Sequence, residues 1–290
     1  MRFEGAIRVL ERELHGLAVV ASIADMELAE DAVRGSMWEA KWRFPAQDYP
    51  HRADAVQRAL VRLRALPSGA EGMTPAELPP LGVGWGTYGW KGDGLCLRAA
   101  IDGGAVLIDT AATYGYGRVE KALGSNGVRD RGDTWLATKF SRNHSKQGPV
   151  LASLGRSLTA LQVERLDLFQ LHWPNPEVPY AETLGAMREA LDRGMTRALG
   201  VCNVSVDQLH LMRIHAPIST VQVRLNNADL DALGPLARYC HANGVRMIAH
   251  SPFEQRGAKR PLAWWVERQF IPIPGSNDPN HILENLGATA

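Results

Sequence analysis

The sequence predicts a (β/α)8 barrel, the TIM-barrel architecture, with an added N-terminal helical segment. Three observations predict it. Eight short apolar runs rich in β-branched residues follow one another at 81–88, 106–110, 134–140, 166–172, 197–201, 220–224, 246–250 and 270–274. Each is followed by a stretch with the apolar spacing of a helix, at 95–103, 117–124, 149–161, 180–193, 205–215, 231–243, 262–269 and 279–287. The connections between them are short, as in a compact α/β unit. Apolar runs without polar alternation suit strands covered on both faces, as in a parallel sheet. Eight strand–helix units are the number that closes such a sheet into a barrel.

Ahead of the barrel the pattern differs. Ile7, Leu10, Leu14, Leu17, Ala21, Ala24 and Leu28 fall three and four apart, with Arg8, Glu11, Arg12 and Glu13 on the other face. That is the stripe of an amphipathic helix. Ala53, Val56, Leu60 and Leu63 repeat the spacing after interruptions at Gly35 and Phe44-Pro45. The simplest structure over 1–66 is a helical hairpin packed within the chain, with Trp38, Trp42 and Phe44 as apolar anchors near its turn. Its helices are also the candidate surface for a protein partner. Residues 67–80, rich in Pro, Gly and small side chains, have linker chemistry. The expected organisation is therefore a helical extension at 1–66, a linker at 67–80 and the barrel at 81–290.

Composition narrows the function. The 32 Lys and Arg residues balance 31 Asp and Glu, a net charge of +1, which gives no electrostatic footprint for nucleic acid. No apolar run approaches the roughly 18 residues of a membrane span, and no signal-peptide core follows Met1. Cys96, Cys202 and Cys240 are far apart, form no CxxC pair and suggest no disulfide framework. A reducing, cytoplasmic setting is expected. The histidines show neither HxH nor HExxH spacing, so no metal site is expected. Gly82-x-Gly84-x-Gly86 lacks the GxGxxG spacing of a dinucleotide loop on an open sheet.

In a barrel of this type the chemistry sits where strands end and the following loops begin. The second strand ends in Asp109 and runs on to Tyr114. The third ends in Thr138-Lys139, and the fourth in His172-Trp173-Pro174. A carboxylate, a phenol, an ammonium and an imidazole thus meet at one mouth. A phenol has a reference pKa of about 10, too high for easy proton donation at neutral pH. A neighbouring ammonium favours the phenolate and lowers that value, and a carboxylate holds the ammonium. An imidazole beside the phenol can orient a carbonyl oxygen. Such a set can protonate an oxygen that becomes negative as hydride arrives.

These residues resemble the active-site motifs of the aldo-keto reductases: Asp109-Thr110-Ala111-x-x-Tyr114-Gly115, Ala137-Thr138-Lys139 and Leu171-His172-Trp173-Pro174. The resemblance covers about residues 80–287 and keeps barrel order. It implies NAD(P)H-dependent reduction of an aldehyde or ketone. Tyr114 would be the general acid, Lys139 and Asp109 its tuners, and His172 the substrate-orienting group. It also implies a cofactor shell. Gly86, Thr87 and Tyr88 resemble the element beside the nicotinamide. Cys202, Asn203 and Gln222 would hold its carboxamide. His250, in His250-Ser251-Pro252-Phe253, would stack on its ring. Ser276, Asn277, His281, Glu284 and Asn285 would meet the phosphate and adenosine end. The last helix opens near 277–279, and a helix N-terminus attracts phosphate.

Several positions depart from the family pattern. His250 stands where an aromatic ring is usual, and Cys202 where a serine is. Gly275, Asn277 and His281 stand where Lys and Arg grip the 2′-phosphate of NADPH, and Asp278 adds a negative charge. The expectation is a modest or reversed preference for NADPH over NADH. The segment 254–260 is short, the chain stops soon after the eighth helix, and a barrel-closing N-terminal hairpin is not evident. Two other readings fit these departures. One is a barrel that holds the cofactor without catalysis, as a regulatory or assembly subunit. The other is a biosynthetic tailoring reductase whose N-terminal helices recognise a carrier.

Overall fold

Eight parallel strands and eight helices alternate among the described residues of the computed structural model. Those residues are 83–84, 94–105, 107–224, 230–253 and 261–287, with backbone alone at 83–84 and 230–233. The helical segment expected at 1–66, the linker at 67–80, Gly86, Thr87, Tyr88 and the segment 254–260 lie outside them.

The order is β1 (Val83–Gly84), α1 (Leu95–Asp102), β2 (Leu107–Asp109), α2 (Arg118–Ser125), β3 (Trp135–Phe140) and α3 (Gln147–Leu161). Then come β4 (Leu166–Leu171), α4 (Tyr180–Asp192), β5 (Thr196–Cys202) and α5 (Val206–His215). The last units are β6 (Ile218–Arg224), α6 (Leu230–Ala242), β7 (Arg246–His250), α7 (Leu262–Glu267), β8 (Phe270–Ile273) and α8 (Pro279–Gly287). Strands pair in sequence order from β1 to β8, all parallel, and β8 comes back against β1. This is the barrel the sequence predicts.

Differences are confined to element ends. β6 begins at Ile218 rather than at 220, because Ile218 pairs with Leu199 of β5. α3 begins at Gln147 rather than at Pro149. A proline within the first turn gives up only an N–H that has no helical partner there.

Every residue of β3 and β4 is buried, as strands covered on both faces require. Alternate side chains go to two cores. Leu107, Trp135, Ala137, Leu168, Ala198, Ile248, Ile271 and Ile273 fill the barrel interior. Ile108, Leu136, Phe140, Phe169, Leu199 and Val221 pack outward against helix residues such as Leu97, Leu123, Leu154 and Leu184. The period of two has a consequence for the site. Continuing the interior rows toward the carboxyl ends of the strands brings up polar residues: Asp109 after Leu107, Lys139 after Ala137, Gln170 after Leu168, and Cys202 after Ala198 and Gly200. The apolar interior therefore ends in a polar layer at the mouth.

Candidate active site

Lys139 is completely buried on β3. An ammonium withdrawn from water is tolerable only when it is paired and hydrogen-bonded. Its Nζ donates to Asp109 Oδ2 at 2.6 Å and to the Thr110 carbonyl at 2.7 Å. Burial alone lowers the lysine pKa; Asp109 first, then Tyr114, outweigh it and hold the ammonium above its usual range. Asp109, 2% exposed, uses its other oxygen as well: Oδ1 accepts from Gln222 Nε2 at 2.9 Å and from Gln170 Nε2 at 3.2 Å.

Tyr114 opens a short 3₁₀ turn, Tyr114–Gly117, between β2 and α2. Gly115, Tyr116 and Gly117 all take left-handed backbone there (φ 55°, 57° and 83°), a conformation that the two glycines adopt without a Cβ penalty and Tyr116 does not. The Lys139 ammonium lies 5.2 Å from the Tyr114 ring centroid. Lys139 pulls the phenol pKa down, as the sequence predicts. Burial is the larger effect, however, and with Asp109 and Cys202 it leaves the phenol above its ordinary value. The expected net lowering is thus reversed by desolvation.

The His172 ring stands edge-on to Tyr114, at 5.6 Å between centroids and 78° between planes. Burial, then the Lys139 charge, push its pKa down to about 4, against the pull of Asp109. Its Nδ1 lies 3.4 Å from Thr113 Oγ1, and its backbone is held by Asn203 Nδ2, which donates to the His172 carbonyl at 3.0 Å. Asn203 itself is left-handed, with φ 59°, a conformation that asparagine tolerates better than most residues. Asp109, Tyr114, Lys139 and His172 are therefore assembled at one mouth.

The expected cofactor residues divide. Cys202 is buried beside the tetrad, and burial pushes its thiol pKa up. Gln222 turns its amide nitrogen to Asp109. His250 is half-buried, close enough to His172 to act on its pKa, with Nδ1 3.1 Å from Ser251 Oγ. Pro252 is buried and Phe253 packs on the outer apolar core. At the start of α8, Asp278 Oδ1 accepts from Asn280 N–H at 2.9 Å, and Ser276 Oγ accepts from Asp278 N–H at 3.0 Å. The helix end expected to meet phosphate thus already carries a carboxylate, with His281 Nε2 3.9 Å from its Oδ2. Glu284 is exposed and Asn285 half-buried further along α8.

Two groups at the site escaped the sequence reading, Thr113 and Gln170. For Gln170 a signal existed: it is the one amide inside the apolar run 166–171, on the same parity as His172. Among the described residues no group of three His, Cys, Asp or Glu side chains could hold a metal ion.

The aldo/keto reductase family model matches residues 95–261. The chain belongs to the aldo/keto reductase family. An aldo-keto reductase of Bacillus subtilis, YhdN, is 38% identical over 181 residues, which are 58% of this chain and 54% of that protein. The thermostable aldo-keto reductase Tm1743, solved with the inhibitor epalrestat, superposes with a TM-score of 0.66 at 31% identity, covering 73% of this chain and 90% of that one. An aldo/keto reductase of Klebsiella pneumoniae, solved with NADP and acetate, gives 0.66 at 26% identity over 73% and 86% of the two chains. The aldo-keto reductase assignment carries with it the family's oxidoreductase class, the NAD(P)H-dependent reduction of carbonyl groups.

Proposed function

We propose that this aldo-keto reductase reduces a small aldehyde or ketone at the mouth of the barrel, with Tyr114 delivering the proton. The observation that carries this reading is the contrast between the two candidate acids. With its pKa pushed down to about 4, His172 is a neutral imidazole at physiological pH: its one N–H can donate a hydrogen bond but lacks the acidity of an imidazolium proton. Tyr114 stays a phenol, and the buried Lys139–Asp109 pair stands behind it.

The residues fit a nicotinamide cofactor by their donor chemistry: a buried thiol, two amides and a half-buried imidazole lie around the tetrad. Cys202, Asn203 and Gln222 would hold the carboxamide, and His250 would lie on the ring. Gly86, Thr87, Tyr88, Ser251, Pro252 and Phe253 would line the same end. Ser276, Asn277, His281, Glu284 and Asn285 would take the phosphate and adenosine end. A nicotinamide cofactor bound there would supply the hydride for the carbonyl carbon. This chain's own groups do the rest. His172, with Thr113 beside Nδ1, directs Nε2 to the carbonyl oxygen and orients it. As charge grows on that oxygen, the phenol proton moves to it, and the Lys139 ammonium stabilises the phenolate left behind. Asp109 keeps Lys139 charged and in place. All four groups are assembled, which supports catalysis over a barrel that only holds the cofactor.

The same reading assigns the chemistry to 81–290 and none to residues 1–66. Cys96, Cys202 and Cys240 are buried as free thiols, which suits a reducing compartment such as the cytoplasm. Among the described residues no helix is long and apolar enough to cross a membrane. The test is Tyr114→Phe, which removes one acidic proton. NADPH oxidation with 4-nitrobenzaldehyde should fall by about 10²–10⁴-fold, the usual contribution of a positioned proton donor, while NADPH binding is kept. Undiminished turnover would assign the proton to another group.

A further inference from the structure

Gln170 is buried completely in β4, a strand whose other five residues include four apolar side chains. An amide in such a place costs stability unless both its ends are used. Both are: Nε2 donates to Asp109 Oδ1 at 3.2 Å, and Oε1 accepts from the Cys202 thiol at 3.8 Å. Space for the side chain is made by its neighbour in the sheet. Gly200 pairs with Gln170, and a Cβ on Gly200 would fall 2.9 Å from Gln170 Cγ and 2.2 Å from Thr220 Oγ1. A glycine is required here by close approach, most tightly of the Thr220 hydroxyl and next of the Gln170 side chain. On its other side Gln170 pairs with Lys139.

The carboxylate of Asp109 explains what the amide is for. One oxygen holds Lys139, and the other receives two amide protons, from Gln170 and Gln222. Two donors on one oxygen fix the carboxylate plane about its side-chain torsion. That fixes the line from Asp109 through Lys139 to Tyr114. We infer that Gln170 is a positioning residue of the reduction: it locks the Asp109 carboxylate against Lys139 and links that lock to Cys202, at the carboxamide end of the cofactor site. The inference rests on the proposed role of the tetrad and adds a residue that does not itself touch substrate.

Two variants test it in the full-length protein, with 4-nitrobenzaldehyde and NADPH as probes and Tyr114→Phe alongside. Gln170→Met keeps length and burial but loses the donor. It should remain folded, bind NADPH within about threefold of the parent and lose about tenfold or more in kcat, the scale of a sub-ångström misplacement. Gln170→Glu gives the sharper readout. A carboxylic acid at this position donates to Asp109 as the amide does, whereas its carboxylate repels it. Activity of this variant should therefore acquire an extra dependence on a bound proton, recovering as pH falls, which neither the parent nor Gln170→Met shows. A role in packing alone would move stability and leave the pH profile in place. Parent-like kcat in Gln170→Met, or a parent-like pH profile in Gln170→Glu, overturns the inference, while loss of activity in Tyr114→Phe leaves the tetrad reading standing. Full activity in Tyr114→Phe overturns the tetrad reading itself.

Discussion

Thr138 donates to Glu120 Oε1 at 2.6 Å on the outer face of β3, one residue before Lys139 enters the barrel interior. Glu120 lies on α2, the helix that begins directly after the Tyr114 turn. One buried hydrogen bond therefore ties the helix that follows the phenol's turn to the strand carrying the ammonium.

That bond leads to a stability prediction. Burial raises the Glu120 pKa, against the hydrogen bonds from Thr138 and Ser157 and the Lys139 charge. A carboxyl whose folded pKa is raised binds its proton more tightly when folded. Its contribution to stability is complete below the unfolded pKa, about 4.3, and is lost as pH rises through the folded value. Glu120→Gln keeps the acceptor for Thr138 and removes the ionisation. Thermal unfolding across pH should show it at least as stable as the parent near pH 8, with the advantage vanishing in acid. Glu120→Ala instead strands the Thr138 hydroxyl and should cost about 1–3 kcal/mol. A parent that gains on Glu120→Gln as pH rises would mean that the partners of Glu120 outweigh its burial.

Lys139→Met leaves Asp109 as a buried carboxylate without its counter-charge. Urea unfolding should register a loss of about 3–5 kcal/mol, the cost of breaking a buried pair from one side. The double variant Lys139→Met/Asp109→Leu should recover much of that stability while remaining inactive. Additive losses in the double variant would contradict the coupling.

On the proposed mechanism, reduction needs the His172 imidazole neutral and the Tyr114 phenol protonated. His172 gains its proton only below about pH 4, and Tyr114 gives up its own only above its ordinary value of about 10. Single-turnover rates should thus be level from about pH 5 to about pH 9, falling in acid as the imidazole charges and in base as the phenol ionises. An acid limb near pH 6.5 would place His172 at its unperturbed value.

Asp278 caps α8 where a 2′-phosphate would approach, and its charge opposes that phosphate. NADPH should be preferred over NADH by less than about 100-fold, and Asp278→Asn should shift the ratio toward NADPH. Dissociation constants for both cofactors at one salt concentration decide this; an unchanged ratio in Asp278→Asn would place the 2′-phosphate elsewhere.

The barrel was legible because most strand runs, such as 134–140 and 166–171, are largely apolar on both parities and each helix keeps its own spacing, so eight units could be marked from residue types alone. The tetrad was legible because Asp109, Lys139 and His172 stand at strand ends, where interior and mouth meet. What composition could not give was the net field. Lys139 does pull on Tyr114, but the depth of the phenol in the mouth outweighs the pull, and depth is a property of packing. Gln222 looked like a cofactor ligand, yet it also serves Asp109, a contact between residues 113 positions apart. Asp278 was noticed as a charge but not as a helix cap, because the cap depends on the backbone at Asn280.

Beneath the tetrad the described barrel interior is mostly hydrocarbon: Leu107, Trp135, Ala137, Leu168, Ala198, Ile248, Ile271 and Ile273, with the buried hydroxyl of Thr220 next to Gln170 Cγ as a polar group among them. On the proposed mechanism, the direct way back for a proton that leaves Tyr114 is then the mouth, the same opening by which the alcohol departs, so resetting the acid and emptying the pocket share one doorway.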